Sequence, residues 1–570
     1  MNQRYIKTIS VFLSVLICVC TPCLVSAVSL NQQSDFYIDP AYDLSQREEI
    51  SAILQRITSN AYFYVDKDWW EGLDEDTRSK TEDSLDFLEQ KFKNKIYPIL
   101  TSTFGPEDKP GIDRDERITI LIHPMAEKAG GYFRNVDGYP RVLAPTSNER
   151  EMVYLNSQHI NDSKAPASLA HEFIHLITFN QKEKIRGVEE EIWLNEARAE
   201  YSPTLLGYDD EYKGSNLEKR VKIFLENPSD SITEWSGSEA DYGALNLFIQ
   251  YLVEQYGVEI LADSLKSKEV GIKSLNEALK KNGFAEDFSQ IFTNWTITVL
   301  ANDCFFGEKY CYKNKNLKNL RVTPSLNFLP LTGKSNLGVT QSAKNWSGNW
   351  FKFIGGKGAL KIVFIGNPQN LFKIPYLSKD ISEEYSLNFF QLNENQQGEI
   401  LVPKFGTEIA SVIIIPTIQT KISGFLNPEP VFPFFWEAST IAPEEKEEPV
   451  SKYLEKPISQ MSKYEILAKI SEIEALLNQL KEQLQKITAV EEISCQKFER
   501  DLYYGMTNNP EVSCLQKFLK NQRPEIYPEG LVTGNFLTLT EAAVKRYQAL
   551  KGITPVSGYF GPLTRAVANQ

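Results

Sequence analysis

The run His171-Glu172-Phe173-Ile174-His175 sets two imidazoles four positions apart, with a carboxylate beside the first. On a helix, positions i and i+4 share a face about one turn apart, so both rings can reach a single metal ion. Zinc takes nitrogen ligands of this kind, and a neighbouring carboxylate can accept a proton from water at the open coordination position. The chain has 4 histidines in 570 residues, so composition alone is a poor explanation for two of them in this pattern. Ala170, Phe173, Ile174, Leu176 and Ile177 would give the helix an apolar body, and Pro166 and Ser168 suit its beginning. A purely structural zinc site would have no use for Glu172 and would leave no position open.

A catalytic zinc needs a third protein ligand. The segment Trp193-Leu194-Asn195-Glu196-Ala197-Arg198-Ala199-Glu200-Tyr201 offers one on a second helix. Glu196 is the expected ligand alongside His171 and His175. Glu200, four residues on and on the same face, is expected to accept the N–H of a liganding histidine, with Asn195 as a further supporting residue. Glu172 is the expected general base. The acidic run Glu189-Glu190-Glu191 suggests a solvated face instead, but Trp193, Leu194, Ala197 and Ala199 require part of this helix to be buried.

Several elements must position these groups. Residues 1–27 read as a signal peptide: Arg4 and Lys7 precede an apolar stretch, and Val25-Ser26-Ala27 offers small residues for cleavage. The stretch is shorter than the roughly 20 residues that span a bilayer. Residues 28–164 read as a mixed α/β lobe, with strands at 61–65, 118–122 and 152–155 and a helix carrying apolar residues near 85, 88, 92 and 96. Residues 165–312 read as a helical lobe holding the zinc site, broken locally at Gly257. Residues 313–426 carry short β-rich runs, such as 350–354, 360–365 and 411–416, and read as a β-sandwich-like domain. Residues 427–462 read as a Pro/Glu-rich linker. In 463–490, Ile466, Ile470, Ile473, Leu477, Leu480, Leu484 and Ile487 form a short heptad seam. A weak dimer through this helix and a helix folded against a neighbouring domain both remain open. Residues 491–570 read as a compact helical module. The fold class expected is α+β.

The formal charge of −14, with no large basic block, argues against nucleic acid as a partner. No run after the signal resembles a transmembrane segment. Four cysteines remain beyond the signal, and an even number in an exported chain suggests disulfides 304–311 and 495–514. Asp113-Arg114-Asp115-Glu116 looks slightly like a calcium loop, although its spacing fits no strong motif.

The His-Glu-x-x-His motif with Asn195-Glu196 and Glu200 resembles the glutamate-ligand zincins, which include thermolysin-like and hyicolysin-like metallopeptidases. Tyr242-Gly243-Ala244, Tyr256-Gly257, Gly131-Tyr132-Phe133 and Glu151-Met152-Val153-Tyr154-Leu155 resemble the hyicolysin-like branch. The resemblance covers residues 35–300. It implies Tyr242 as a catalytic hydrogen-bond donor to the developing oxyanion, with Tyr201 as an alternative. The histidine donor expected of thermolysin-like members is missing, because His123 and His159 both precede the motif. The strand at Met152 and Tyr154 is expected, by fold analogy, to serve as the edge on which substrate lies.

Near the C-terminus, Val532-Thr533-Gly534-Asn535-Phe536 with Thr540 repeats as Val556-Ser557-Gly558-Tyr559-Phe560 with Thr564. Each unit is a glycine turn, an aromatic plug and a threonine opening a helix. Together with Leu515-Gln516-Lys517-Phe518-Leu519 they resemble the peptidoglycan-binding domain of cell-wall hydrolases. That resemblance implies a bacterial source and a secreted or wall-associated location. The function expected is a secreted zinc-dependent endopeptidase acting on extracellular protein or peptide. A cell-wall hydrolase cleaving peptidoglycan stems and a non-catalytic wall-attached adhesion protein are the alternatives.

Overall fold

Alternation of apolar and polar side chains builds the first strands. In β2 (Glu49–Ile57), Ile50, Ala52 and Leu54 are buried while their neighbours lie nearer solvent. β3 (Ala61–Asp66), β4 (Ile118–His123) and β6 (Met152–Asn156) are buried along their whole length, as expected of strands covered on both faces. With β1 (Gln33–Tyr37) and β5 (Gly131–Tyr132) they form a sheet ordered β1-β2-β3-β4-β6-β5. β3, β4 and β6 run parallel, and the short β5 runs antiparallel to β6 at the edge. One face carries Tyr62, Tyr64, Leu121, Met152 and Tyr154; the other carries Phe63, Val65, Ile120, Ile122 and Val153 against the helices.

The computed structural model describes residues 28–126, 128–330, 336–441, 497–506, 509–528, 530 and 532–569. The signal segment 1–27 and the heptad stretch 463–490 lie outside these residues. The chain divides into two units, 1–444 and 445–570.

In the first unit, α1 (Lys67–Glu71), α2 (Glu75–Lys91) and α3 (Tyr97–Phe104) precede β4. α4 (Ala165–Thr178) then crosses the centre, followed by a π-helical turn at Phe179–Lys184. Its apolar residues lie on several faces, which is why the helix is buried nearly all round. Phe173 sits between Phe92 and Tyr97 at ring distances of 5.2 and 5.6 Å. Truncating a core aromatic of this kind costs about 3–5 kcal/mol. α5 (Ile192–Leu205), α6 (Asn216–Glu226) and α7 (Glu239–Tyr256) follow. α7 is closed at its start by a capping box between Ser238 and Asp241, and Gly257 ends it in the left-handed region. α6 and α7 approach closely where Gly243 lacks a side chain: a Cβ there would lie 2.8 Å from the Phe224 backbone nitrogen.

The β-domain is one nine-stranded sheet folded into two layers, with β11 (Phe372–Lys373) and β16 (Thr417–Ile418) paired separately. β7 (Ser325–Leu329), β9 (Phe351–Gly355), β15 (Ile409–Ile414), β12 (Pro375–Asp380) and β13 (Tyr385–Phe389) pair in that order. β8 (Asn336–Ala343), β17 (Phe432–Ile441), β10 (Gly358–Ile365) and β14 (Gln397–Phe405) form the other layer. They join where Phe405 meets Ile409. Phe353 and Val412 from one layer pack with Ile362, Phe364, Phe434 and Trp436 from the other, and Phe353 meets Trp436 at 5.0 Å. This is the expected sandwich-like arrangement.

The linker expected from residue 427 begins too early. β17 occupies Phe432–Ile441 because Phe434, Trp436 and Ala438 alternate into the core, and this alternation outweighs the proline and glutamate content. A disulfide joins Cys304 to Cys311, as expected. Cys514 is also disulfide-bonded, while Cys495 lies outside the described residues.

In the second unit, helices Pro510–Lys520, Thr538–Leu550 and Pro562–Ala568 surround Leu515, Phe536, Val544, Tyr547 and Phe560. The internal repeat is held by two glutamines. Gln516 accepts from the backbone N–H of Thr533 and Gly534 and donates to the Thr540 hydroxyl. Gln548 accepts from Gly558 N–H and donates to the Tyr559 carbonyl and the Thr564 hydroxyl. Among the described residues of the chain, no helix is long and apolar enough to cross a membrane.

Candidate metal centre

α4 brings His171 and His175 to one face, and α5 packs alongside it with Glu196. One potential ligand atom from each of the three lies within 4.8 Å of the others. His171 Nε2 is 3.4 Å from Glu196 Oε2, and His175 Nε2 is 3.7 Å from Glu196 Oε1. The two Nδ1 atoms face other groups. That of His175 is 3.1 Å from Asn195 Oδ1, and that of His171 is 3.5 Å from Glu200 Oε1. An Nδ1–H on each ring, aimed at these oxygens, leaves both Nε2 lone pairs on the Glu196 side.

The residues fit a zinc ion. Two imidazole nitrogens and a carboxylate are a three-ligand set that leaves a position open. Glu196 Oε2 is buried with no hydrogen-bond partner. Charge points the same way: Glu172, Glu196 and Glu200 face two imidazoles and the guanidinium of Arg220. Burial pushes the His171 imidazole down, but Glu196, Glu172 and Glu200 pull it up to about 9. His175, where burial and the neighbouring His171 prevail, is instead lowered. A cation between the two rings would answer the negative charge of the three carboxylates.

Glu172 is 7% exposed and stands beside the cluster. Burial raises its carboxyl to about 7, with Glu196 adding to the effect. The outer strand β5 shapes its position: a Cβ on Gly131 would lie 2.8 Å from Glu172 Cγ and 2.5 Å from the Tyr154 carbonyl oxygen. Tyr242, from the first turn of α7, packs against Trp235 at 4.6 Å and beneath Arg220 at 4.3 Å. Its hydroxyl pKa is raised by burial, then by Glu196 and Glu200, which puts it within reach of the site's charges. Tyr201 lies in the main core, and the carboxylate its hydroxyl senses is Glu254. Tyr42 on the N-terminal segment senses Glu172 and Glu196 and stacks on Tyr132 at 4.5 Å.

Met152 and Tyr154 are not an open edge. β5 lies outside β6 at Tyr154 and Leu155, and both Met152 and Tyr154 are buried in the sheet's second core. The outermost strand is Gly131–Tyr132, whose two residues carry too little periodicity to be read from sequence. The slight likeness of 113–116 to a calcium loop gains no support: among the described residues, the only acid–histidine–cysteine cluster of metal-binding geometry is His171, His175 and Glu196. Asp115 is instead engaged by Tyr62 and Arg117.

Sequence reasoning missed two supporting groups. Arg220 of α6 grips both oxygens of Glu200 at 2.7 Å, and Asn216 and Asn246 add bonds at 3.2 Å. On the opposite face of α5, Glu190 is buried, 2.9 Å from Arg198 and 3.4 Å from Lys182. The acidic run therefore supplies an anchor for α5 rather than only a solvated face. Losing one member of such a buried ion-pair set costs about 3–5 kcal/mol.

A family model described as "Putative peptidoglycan binding domain" matches residues 508–567. The neutral metalloprotease ShpI of Staphylococcus hyicus is 28% identical over 222 residues, covering 34% of this chain and 48% of that protein. The chain thus spans about half the length of that curated relative. Among solved structures, the pre-peptidase C-terminal domain of a Bacillus anthracis collagenase is 11% identical and covers 20% of this chain and 94% of that one, at a TM-score of 0.14. Aeromonas hydrophila PliG, a periplasmic inhibitor of g-type lysozyme, is 9% identical with 20% and 98% coverage at the same score of 0.14. At these scores neither structure carries an argument. The chain is thus similar to a neutral metalloprotease over part of its length, carries a His-His-Glu cluster of metal-binding geometry, and matches a peptidoglycan-binding family model at its C-terminal end.

Proposed function

We propose that this chain is a secreted bacterial zinc endopeptidase that hydrolyses extracellular protein, with its C-terminal domain attaching it to peptidoglycan. The observation that carries the reading is the convergence of His171, His175 and Glu196 beside a buried Glu172. The chemistry supplied by zinc at these ligands is polarisation of the scissile carbonyl and a lowered pKa for the attacking water.

The chain's own residues supply the rest. Glu172 takes a proton from water as the new O–C bond forms, then delivers it to the leaving amine as the C–N bond breaks. Its burial beside the ligand cluster puts Glu172 in position for both transfers. Tyr242 keeps its proton, because burial and Glu196 disfavour the phenolate, and donates it as a hydrogen bond to the oxyanion. Glu200 and Asn195 orient the two histidines. The outer edge of β5 offers backbone groups on which an extended substrate can lie as an added strand.

The peptidoglycan-binding-like domain favours a second reading, in which the substrate is the peptide stem of the wall itself. One experiment separates the readings. Zinc-loaded full chain is incubated with an unfolded protein and with purified wall stems, beside Glu172→Gln. The expected outcome is cleavage of the protein, reduced by about 10²–10⁴-fold in the variant with zinc content unchanged. Turnover of stems alone would establish the second reading. Near-normal activity in Glu172→Gln would remove Glu172 as the base, and no turnover of either substrate would leave an adhesion protein.

A further inference from the structure

Next to the metal-ligand cluster lies a cavity of about 180 Å³, large enough for a long side chain. His175 and Asn195 form one wall, so the cavity borders a metal-ligand histidine and the amide that holds its ring. Phe133, Phe179 and Ile192 make its sides apolar. Deeper in the lining, Thr178 is 2% exposed, and its hydroxyl is buried without a hydrogen-bond partner.

The charge of the lining is unbalanced. Lys182 and Glu190 also border the cavity, but they answer each other at 3.4 Å, and Arg198 completes their set. Among the described residues, Glu183 and Glu189 have no cation at ion-pair distance. Glu183 accepts one long bond, 3.3 Å, from the Tyr139 hydroxyl. Burial raises its carboxyl, and Glu189 raises it further by repulsion. Lys184, which it senses weakly, is bound to the Gly138 carbonyl and lies 3.7 Å from Asp108.

We propose that this cavity receives the substrate side chain flanking the scissile bond, and that Glu183 and Glu189 select lysine or arginine there. The claim rests on the peptidase reading and names its substrate class. The methylene stem of either residue lies along Phe133, Phe179 and Ile192, while its cation relieves the repulsion between the two carboxylates. An acidic side chain is rejected by the same pair.

The test uses zinc-loaded full chain and a peptide series differing at each position beside the cleaved bond: Lys, Arg, Met or Glu. For the wild type, kcat/KM should be about tenfold higher with Lys or Arg than with Met, and lowest with Glu. Glu183→Gln combined with Glu189→Gln should compress the Lys-to-Met ratio to about twofold or less. Glu189→Lys, at an exposed position that does not support the core, should abolish the preference of Lys over Glu by cancelling the charge of Glu183. Binding of the uncleaved peptides to Glu172→Gln, read by calorimetry, should show the same ranking without any turnover. Cleavage with no preference for a cation, or a preference that survives both sets of variants, overturns the proposal. Failure to cut any peptide while calorimetry still ranks Lys above Met overturns the peptidase reading and leaves the cavity's selectivity standing.

Discussion

Arg220 governs how firmly His171 is held, although it touches neither metal ligand nor substrate. Its two bonds to Glu200, both 2.7 Å, fix the carboxylate that faces His171 Nδ1. Burial alone would raise Glu200, and Arg220 keeps it below its usual range. Groups that orient a liganding histidine typically contribute 10–100-fold in metal affinity. Arg220→Met is therefore expected to weaken zinc binding by about that factor in chelator competition, and Glu200→Gln, which takes the carboxylate from both His171 and Arg220, should weaken it in the same direction. Unchanged affinity in both variants would mean that Glu200 does not act through His171. Tyr242 makes a different demand. Tyr242→Phe keeps the ring that packs on Trp235 and Arg220 but removes the donor. It should lower kcat by about 10²–10³-fold with little change in KM, as expected for a bond made only in the transition state. A shift confined to KM would make Tyr242 a binding residue.

At the scale of elements, the N-terminal segment is tied to the outer strand through a buried histidine. Asp43, just beyond β1, lies 3.2 Å from His123 Nδ1, and His123 Nε2 lies 3.1 Å from the Tyr132 hydroxyl on β5. Burial lowers the His123 imidazole despite Asp43, so the folded protein keeps it neutral below the usual 6.5. The unfolded chain then binds a proton the native state does not, and stability falls as pH drops below about 6.5. For Asp43, burial pushes up, but hydrogen bonds from Arg47 and Ser45 hold it near 2. Its contribution is intact above its usual 3.8 and is lost as pH falls from there toward 2. Thermal unfolding of wild type and His123→Gln from pH 8 to 3 should show a shallower decline below 6.5 in the variant, and parallel curves would refute the linkage. These ties also explain what sequence could convey. The zinc motif was legible because its geometry lies within one turn of helix, and Glu196 because one buried helix carries it. Arg220, Gly131 and the Glu190 anchor depend on contacts between distant segments, which local spacing does not encode. From sequence β6 reads as the edge because a strand of two residues, β5, has no readable period, and the prolines and glutamates around β17 mask its alternation.

At the scale of the whole molecule, each of the two units has its own apolar core. The second is built around Leu515, Phe536, Tyr547 and Phe560, and the first closes its β-domain with Trp436 and Phe434. A unit with a complete core can keep its structure when the chain is cut outside it. The proposed division of labour follows: the first unit performs hydrolysis, and the second sets where hydrolysis occurs. Attachment near substrate raises the effective concentration of the site without any new contact in it. A chain ending at Glu444 is therefore expected to cut a soluble unfolded protein with kcat/KM within about twofold of the full chain, while its co-sedimentation with purified peptidoglycan is lost. The isolated segment 445–570 should sediment by itself. If the shortened chain still sediments as the full chain does, attachment belongs to the first unit. If instead its activity on soluble protein collapses, the C-terminal unit contributes to catalysis, and the separation of roles fails.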